Sequence, residues 1–502
     1  MTGSHVYVDF GAARIQQYLT RTAGLRGHRA ASNCLAQATA AGAVGRVAGD
    51  LAEVNPEAGK ADGVVSLRFP ARDTDDVEGR VRRLQDVVFA HLRRALPGAE
   101  FHSVWGEGEF YLAVYAHVLR PKSQRGQVRH DLPPVAEFPL ALPCRMCQID
   151  PAVGVEPMAD GTRQALCLDC SMRNVSRSQT VADERSPEGR LLRGIGLAPG
   201  PDDFTALAAL GSAASGRNHL ATIAVDGNAF GVFFKALADE GSRDPELRTA
   251  KATLSEALSA ATREALANAT LELPSTSQHE RLCLVPHVVG GDDVLVSLPA
   301  DQAWQFTLTF LAEFERLVRE ATADILDRLN RLRADRREPG AHLPALGPPT
   351  ASAGVVVAHA SHPLNLLVES AGQRLAEAKR AFGGREASVQ WLDVTADGPE
   401  APGHPPLALS VLRTGNGGAS MAATALSRLT RVPASHRERL TEASRAGGPL
   451  TAAALADRVV GHLDAVRPFL PPLDRLDRLD QPPVSGVGLS AALNLSRWWP
   501  CA

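Results

Sequence analysis

The sequence has little net charge and few cysteines, and each shortage excludes a class of protein. Its 502 residues include 53 basic and 56 acidic side chains, for a net charge of -3, which excludes a basic coat for nucleic acid over the whole surface. Seven cysteines are too few for a disulfide-stapled framework in a chain of this length. Any contact with RNA or DNA is therefore local or made through partner proteins.

Long apolar segments are also missing. No stretch approaches 18 uninterrupted apolar residues, and residues 1–9 lack the basic, apolar and small-residue regions of a secretory signal. We therefore expect a cytoplasmic protein with no membrane contact. At roughly 150 residues per domain, the length predicts about three domains.

Alternating strand and helix signals predict an α+β fold with two related units. The first unit has predicted helices at 15–47 and 75–96 and strands at 5–10, 64–69, 101–105 and 110–118. The second has a strand at 220–226, a helix at 249–269, a hairpin formed by 282–285 and 294–296, a helix at 303–333, a strand at 354–359, a helix at 363–382 and a strand at 388–394. Strand, helix, hairpin, helix, strand is the order of a ferredoxin-like or palm domain, the type found in polymerases and nucleotide cyclases.

These patterns divide the chain into five regions. We predict a first palm-like domain at 1–140, a four-cysteine module at 141–175, a connector at 176–215, a second palm at 216–400 and a C-terminal helical domain at 401–502. The last region is rich in alanine, leucine and arginine and is broken by proline pairs, which favours short helices.

Four of the seven cysteines form two pairs, which predict a structural zinc site. Two residues lie between Cys144 and Cys147, two lie between Cys167 and Cys170, and 19 residues separate the pairs. Each pair can place two thiolates on one ion, and two such pairs complete a tetrahedral Zn²⁺ site with no open position for catalysis. We expect the site to brace neighbouring domains.

An acidic hairpin is the strongest candidate for a catalytic site. Asp292 and Asp293 follow Gly290 and Gly291 at its tip, and Asp226 ends the preceding core strand. Glycine and aspartate also suit an ordinary solvated turn, but an acid on a central strand is costly unless it is compensated. Because the palm order places the strand beside the hairpin, we expect the three carboxylates to meet and to bind Mg²⁺ or Mn²⁺ for nucleotidyl transfer.

Lysine is rare in this chain, and Lys379 belongs to the predicted helix at 363–382. Its expected position, one strand away from the acidic hairpin, would allow it to meet a triphosphate. A solvated lysine at a helix end explains the same residues equally well.

Four stretches together resemble the large subunit of type III CRISPR effector complexes, a palm-domain family that makes cyclic oligoadenylates. They are residues 8–32, which begin Val8-Asp9-Phe10-Gly11, the four-cysteine segment, Val289-Gly290-Gly291-Asp292-Asp293, and the strand and helix over 353–379. The resemblance covers most of residues 5–395. The last hundred residues would correspond to the helical last domain of the family.

The resemblance implies a synthetase that joins ATP molecules by 3′-5′ linkages and closes them into a ring when a guide-bearing complex captures target RNA. Asp226, Asp292 and Asp293 would hold two metal ions that activate the attacking 3′-hydroxyl and stabilise the leaving pyrophosphate. The partners implied are ATP, guide RNA, target RNA and other CRISPR subunits. The nucleotide would contact Gly227, Gly290, Gly291 and Lys379.

Two departures from the family pattern affect these expectations. The first palm begins within ten residues of Met1, so we expect the form without an N-terminal His-Asp nuclease domain and no DNase activity. Asn228 stands where the family commonly has a second acid. The first palm would hold the acceptor nucleotide, but its own hairpin region at 59–63 has no acidic pair, so we expect that palm to be inactive.

Two other functions remain open at this point. The chain could be a stand-alone synthetase that makes a cyclic nucleotide without guide RNA, or a catalytically silent scaffold whose palms organise RNA and neighbouring subunits. The three intact aspartates weigh against the scaffold, whereas Asn228 leaves it open.

Overall fold

Two mixed α+β units, a cysteine-rich module and a C-terminal group of helices make up the protein. The structure is a computed structural model that describes residues 3–22, 24–59, 63–73, 76–133, 142–158, 160–176, 186–212, 218–241, 244–335, 345–413, 420–472 and 483–500. It confirms the α+β class with two palm-like sheets. The domain boundaries at 140, 175, 215 and 400 stay predictions.

The first unit is built on a five-stranded sheet with helices packed against it. Its strands are β1 His5–Ala13, β2 Glu53–Val54, β3 Val64–Pro70, β4 Glu100–Gly108 and β5 Arg129–Asp131, in the spatial order β2-β3-β1-β4-β5. Its helices are α1 Ile15–Leu19, α2 Leu25–Ala38, α3 Ala41–Ala48, α4 Val77–Ala95, α5 Tyr111–Val114 and α6 Arg120–Gln124. Successive side chains of a strand point to opposite faces, so Val6, Val8 and Phe10 enter the main core while Tyr7 contacts Tyr111 on the other face.

The strand predicted at 110–118 is wrong. This segment forms α5 followed by a π-helical turn at Tyr115–Leu119, which continues into α6. Its aromatic and branched residues resemble a strand in composition. Their buried side chains nevertheless follow helical spacing, and Leu112 packs against the second unit in a shared core. Tertiary packing therefore overrides the local strand preference.

The cysteine-rich module and the connector pack onto the first unit. The elements are β6 Gly154–Pro157, β7 Arg163–Leu166 and α7 Leu168–Ser176 in the module, with α8 Pro187–Ile195 and α9 Phe204–Ala208 in the connector. The buried carboxylate of Asp169 accepts hydrogen bonds from the Tyr18 hydroxyl at 2.8 Å and from Arg173 Nε at 2.9 Å. Arg29 of α2 forms a bidentate, buried ion pair with Glu188 of α8.

The second unit repeats the palm arrangement on a larger sheet. Its strands are β8 His219–Asn228, β9 Val285–Gly290, β10 Asp293–Pro299, β11 Thr350–His359 and β12 Ser388–Asp393. Its helices are α10 Phe230–Gly241, α11 Pro245–Leu271, α12 Pro274–His279, α13 Ala303–Ala334, α14 Leu364–Ala381 and α15 Val394–Asp397. The first hairpin strand begins at Val285, three residues later than predicted, and α10 is an extra helix between the first strand and α11.

The C-terminal helices extend the core of the second unit. The elements are β13 Leu407–Ala408, α16 Leu409–Leu412, α17 Met421–Leu429, α18 Ala434–Leu455, α19 Leu463–Val466 and α20 Leu489–Leu495. Strand β13 joins the sheet, whose order is β13-β12-β11-β8-β10-β9. Indole N–H groups link this region to β12: Trp391 donates a hydrogen bond to Asn494 Oδ1 at 2.9 Å, and Trp498 donates one to Asp393 Oδ2 at 2.7 Å. None of the helices described has both the length and the apolar character needed to cross a membrane.

Candidate active site

A tight hairpin presents two of the three predicted acids. Asp293 pairs with Gly290 across the hairpin, so Gly291 and Asp292 form a two-residue turn between β9 and β10. Gly291 has a φ of +60°, as expected at the first central position of a type II′ turn. Thr262 of α11 holds the turn by donating its hydroxyl hydrogen bond to the Gly291 carbonyl oxygen at 2.5 Å.

Asp226 lies on the neighbouring strand, so the sheet brings the three carboxylates to one place. Val225 of β8 pairs with Val294 of β10, which puts Asp226 beside Asp293. Gly227 has no side chain, and the Asp292 carboxylate occupies the space that a Cβ there would need. Gly227 is thus required for the close approach of the hairpin to β8.

The acids perturb one another. Desolvation of its carboxyl, together with the negative charges of Asp226 and Asp292, raises the pKa of Asp293 to about 8. Desolvation and the charge of Asp226 also raise the pKa of Asp292, against the opposing effect of Lys379. Like charges held this close are poorly compensated by the protein alone.

Lys379 of α14 reaches this site, as one of its two sequence interpretations expected. Its Nζ forms an ion pair with the Asp226 carboxylate and donates a hydrogen bond to the Gly227 carbonyl oxygen at 2.7 Å. The side chain is about a quarter exposed, so the ammonium group lies at the edge of the acidic cluster. The alternative of a fully solvated helix-end lysine does not describe these contacts.

Asn228 has a structural role. Its buried side-chain amide donates hydrogen bonds to Thr350 Oγ1 at 3.0 Å, Ser352 Oγ at 2.9 Å and the Glu386 carbonyl oxygen at 3.1 Å. These bonds join the end of β8 to β11 and to the segment before β12. The amide is therefore engaged within the sheet and cannot serve as a substitute for the acid that the family commonly has there.

A groove between the two palms runs beside the hairpin. It encloses about 450 Å³, and both palms and the connector helix α8 contribute to its wall. Its polar and basic lining includes Asn55, Ser66, Arg190, Arg193, Ser259, Arg263 and the backbone of Gly290 and Gly291. Nothing in the linear sequence distinguishes these arginines, because arginine is abundant throughout the chain.

The first palm carries an acid at the matching place on its sheet. Asp9 lies on β1 opposite Ser66 of β3, whereas Asp226 on β8 lies beside Asp293. Asp9 is buried and accepts a hydrogen bond from the Tyr111 hydroxyl at 2.8 Å. Of the hairpin region at 59–63, which was predicted to lack an acidic pair, residues 60–62 lie outside the described residues.

The four predicted cysteines converge in the small module. Cys144, Cys147, Cys167 and Cys170 are all buried, and their sulfur atoms lie within 4.8 Å of one another. Cys167 Sγ is 3.8 Å from Cys147 Sγ and accepts a hydrogen bond from the Cys170 amide at 3.4 Å. Four sulfurs without a competing oxygen ligand fit a closed tetrahedral metal site.

The donor set at the aspartates fits a different kind of ion. It consists of carboxylate oxygens and suits a hard divalent cation such as Mg²⁺ or Mn²⁺. The charge of such a cation would lower the raised pKa values of Asp292 and Asp293. Within the described ranges, the cysteines are the one group of three or more such side chains whose ligand atoms lie within 4.8 Å of one another.

Comparisons with known proteins agree with this architecture. Residues 219–389 match the family model of the Cas10/Cmr2 second palm domain, which confirms the family resemblance drawn from the sequence. A Csm1-Csm4 cassette in complex with cA4 is 13% identical, with 98% of this chain and 70% of that chain covered and a TM-score of 0.55. A Csm1-Csm4 cassette in complex with one ATP is 13% identical over 99% of this chain and 70% of that chain, with a TM-score of 0.54. At these identities the structural likeness shows the fold, and no curated protein matches the chain by sequence.

Proposed function

We propose that this chain, whose residues 219–389 match the Cas10/Cmr2 second palm domain, converts ATP into cyclic oligoadenylates as the large subunit of a type III CRISPR complex. The observation that carries the proposal is the convergence of Asp226, Asp292 and Asp293 beside the groove between the palms. Chains of similar fold were solved with cA4 and with one ATP, which supports the same substrate and product class here.

We propose that the three aspartates hold two Mg²⁺ or Mn²⁺ ions. Such ions, when bound, activate the 3′-hydroxyl of one nucleotide and stabilise the pyrophosphate that leaves the next. Asp292 and Asp293 suit this role because burial, together with the neighbouring carboxylates, raises their pKa values, and a bound cation would stabilise their ionised forms.

Lys379 and the glycines would accommodate the triphosphate. The Lys379 ammonium group lies at the rim of the acidic cluster, where it can neutralise a phosphate oxygen. Gly290 and Gly291 present only backbone to the groove, so a phosphate chain can approach the turn without meeting a side chain. Gly227 keeps the Asp292 carboxylate close to Asp226.

The groove between the palms would hold the acceptor nucleotide. Its first-palm wall offers Asn55 and Ser66 as hydrogen-bonding groups, and Arg190, Arg193 and Arg263 supply positive charge for phosphates. In the proposed reaction the acceptor 3′-oxygen bonds to the α-phosphorus of the second ATP while the bond from that phosphorus to the pyrophosphate breaks. The hydroxyl proton passes to solvent.

The remaining partners follow from the same proposal. Zn²⁺ at Cys144, Cys147, Cys167 and Cys170 would be structural, and the module would brace the first palm through Asp169. Guide RNA and target RNA would act through the assembled complex with other CRISPR subunits. The first palm would be inactive in catalysis because its matching strand position pairs Asp9 with Ser66 in place of a second acid.

Incubation of the purified chain with ATP and Mn²⁺ tests this function, with and without a guide complex and target RNA, followed by separation of products by mass. We expect cyclic oligoadenylate that the double substitution Asp292→Ala, Asp293→Ala abolishes. The matched control is Asp324→Ala, Asp327→Ala on the exposed face of α13, which should leave product unchanged.

The RNA arms separate the alternatives. Product that requires target RNA supports the proposed complex, whereas product without any RNA indicates a stand-alone synthetase. Absence of product in every arm would favour a scaffold and overturn the catalytic assignment.

A further inference from the structure

An arginine of the first palm reaches across to the second palm next to the acidic cluster. Arg120 follows the π-helical turn Tyr115–Leu119, and its guanidinium group lies against the backbone of Gly231 in the first turn of α10. A Cβ at Gly231 would overlap this group. Gly231 is therefore the residue that gives Arg120 room to cross the interface.

The Arg120 guanidinium group lies next to the acidic cluster. Gly231 lies five residues after Asp226, and the Phe230 ring between them packs against Gly227 together with the Asp292 carboxylate. Tyr115, one turn before Arg120, lies within electrostatic reach of both Arg120 and Asp292. This face of the first palm therefore adjoins the three aspartates.

The guanidinium group has no partner among the residues that the structure describes. It makes neither a hydrogen bond nor an ion pair there, although the group is only partly exposed. A partly buried arginine without a carboxylate partner retains its five N–H donors. Its planar fork fits two oxygens of a phosphate better than a lysine ammonium does.

We propose that Arg120 binds the polyphosphate of the nucleotide held at the second palm, so that the first palm contributes a nucleotide-binding residue to the active site of its neighbour. This inference rests on the proposed function, because it uses the same nucleotide site. The first turn of the twelve-residue helix α10 adds backbone N–H groups and a favourable dipole at the same place. Lys379 would approach the phosphates from α14, and Arg120 from the first palm.

The test measures nucleotide binding and turnover separately on the full chain. Affinities for ATP and AMP are determined by calorimetry with Mg²⁺, and kcat and KM from product formation with Mn²⁺. We expect Arg120→Ala to weaken ATP binding by about ten- to a hundredfold, the range for losing charge-assisted hydrogen bonds. AMP binding should change less than threefold, because AMP lacks the β- and γ-phosphates.

Three further variants separate this role from a folding defect. Arg120→Lys should keep part of the ATP affinity, and Gly231→Ala should lower it without removing a charge. Arg125→Ala, at an exposed position just after α6, is the matched control and should bind ATP like the wild type. Unchanged AMP binding and an unchanged melting curve show that the fold of a variant is intact.

Each outcome decides the proposal. Equal ATP affinity and kinetics for Arg120→Ala and Arg125→Ala, equal losses for ATP and AMP, or no ATP binding by the wild type would overturn it. A wild type that binds ATP through Arg120 but makes no product would leave this inference standing while the proposed function falls. Product formation that is unchanged in Arg120→Ala would overturn this inference and leave the proposed function standing.

Discussion

Replacing Lys251 with methionine should destabilise the contact between the palms, and the loss should depend on pH. Lys251 projects from α11 into the first palm, where its Nζ donates a hydrogen bond to the Ala58 carbonyl oxygen at 3.0 Å. The ammonium group also lies 4.9 Å from the ring centre of Tyr111 and 4.6 Å from that of Tyr115. Burial lowers the pKa of Lys251 to about 8, and the nearby charge of Asp9 opposes this shift.

The protonation of Asp9 determines how much stability the Lys251→Met substitution costs. Burial raises its pKa, while hydrogen bonds from Ser66 and Tyr111 and the charge of Lys251 lower it. Without Lys251, the buried carboxyl takes up a proton more readily in the folded chain. Protonating an ordinary aspartate costs about 1.36 kcal/mol for each pH unit above its usual pKa, which sets an upper limit of about 4 kcal/mol at pH 7 and about 1.6 kcal/mol at pH 5. The wild type, whose Asp9 pKa is itself raised, already bears part of this cost.

The sign of the pH dependence follows from linkage. Burial already raises the folded-state pKa of Asp9 in the wild type, and loss of the Lys251 charge raises it further. Between these two pKa values the folded variant binds more protons than the folded wild type, so its stability relative to the wild type falls as the pH rises through this range. Two further effects do not vary with pH over this range. Loss of the contacts with the aromatic rings costs about 1 kcal/mol, whereas removal of the buried ammonium group, whose lowered pKa shows that folding disfavours its charge, offsets part of the loss.

Hydrogen exchange of amides in β1 and α11, read by mass spectrometry, measures the local opening free energy. Comparison with the wild type at the same pH cancels the intrinsic exchange rate. From the Asp9 effect alone, we expect opening to become up to about a thousandfold more frequent at pH 7 and about fifteenfold at pH 5. Adding Asp9→Asn should recover most of the loss at pH 7. Lys235→Met, at an exposed position of α10, is the control; equal losses at both pH values, or no recovery, would refute the reasoning.

Two further predictions concern the cysteine cluster and Asn228. Cys144→Ser should remove bound zinc, measured by elemental mass spectrometry, and lower the melting temperature, whereas Cys34→Ser, outside the cluster, should retain the metal; zinc retained by Cys144→Ser would contradict a four-sulfur site. Asn228→Asp should destabilise the chain by about 1–3 kcal/mol in denaturant titration, because a carboxylate cannot donate hydrogen bonds to Thr350 and would face the Glu386 carbonyl. An unchanged titration would mean that these bonds do not hold the end of β8.

Features encoded over short distances in the chain could be predicted from the sequence. The two cysteine pairs, separated by 19 residues, indicated a metal site, and the structure gathers their sulfurs. The order of strands and helices indicated two palms, because alternation of apolar residues and turn chemistry are local properties. The rarity of lysine in the chain was a weaker signal, and it identified Lys379 as a candidate site residue.

Local signals failed where packing decided the outcome. Residues 110–118 have the composition of a strand, yet they form helical turns because their apolar side chains meet α10 and α11 of the second unit. Asn228 looked like a defective acid, but its amide is used within the sheet. Such contacts join residues that are more than a hundred positions apart, and no local pattern encodes them.

The sequence by itself determined the α+β class, the four sulfur ligands and the acidic hairpin, since spacing and turn preference specify them within one segment. Only the tertiary structure decided which cationic side chains lie at the acidic cluster or next to it. Lys379 reaches Asp226 because α14 packs across β8, and Arg120 reaches α10 because Gly231 leaves space for it. Both contacts depend on how separately formed units pack against each other, a long-range arrangement to which the residues in between contribute no local signal.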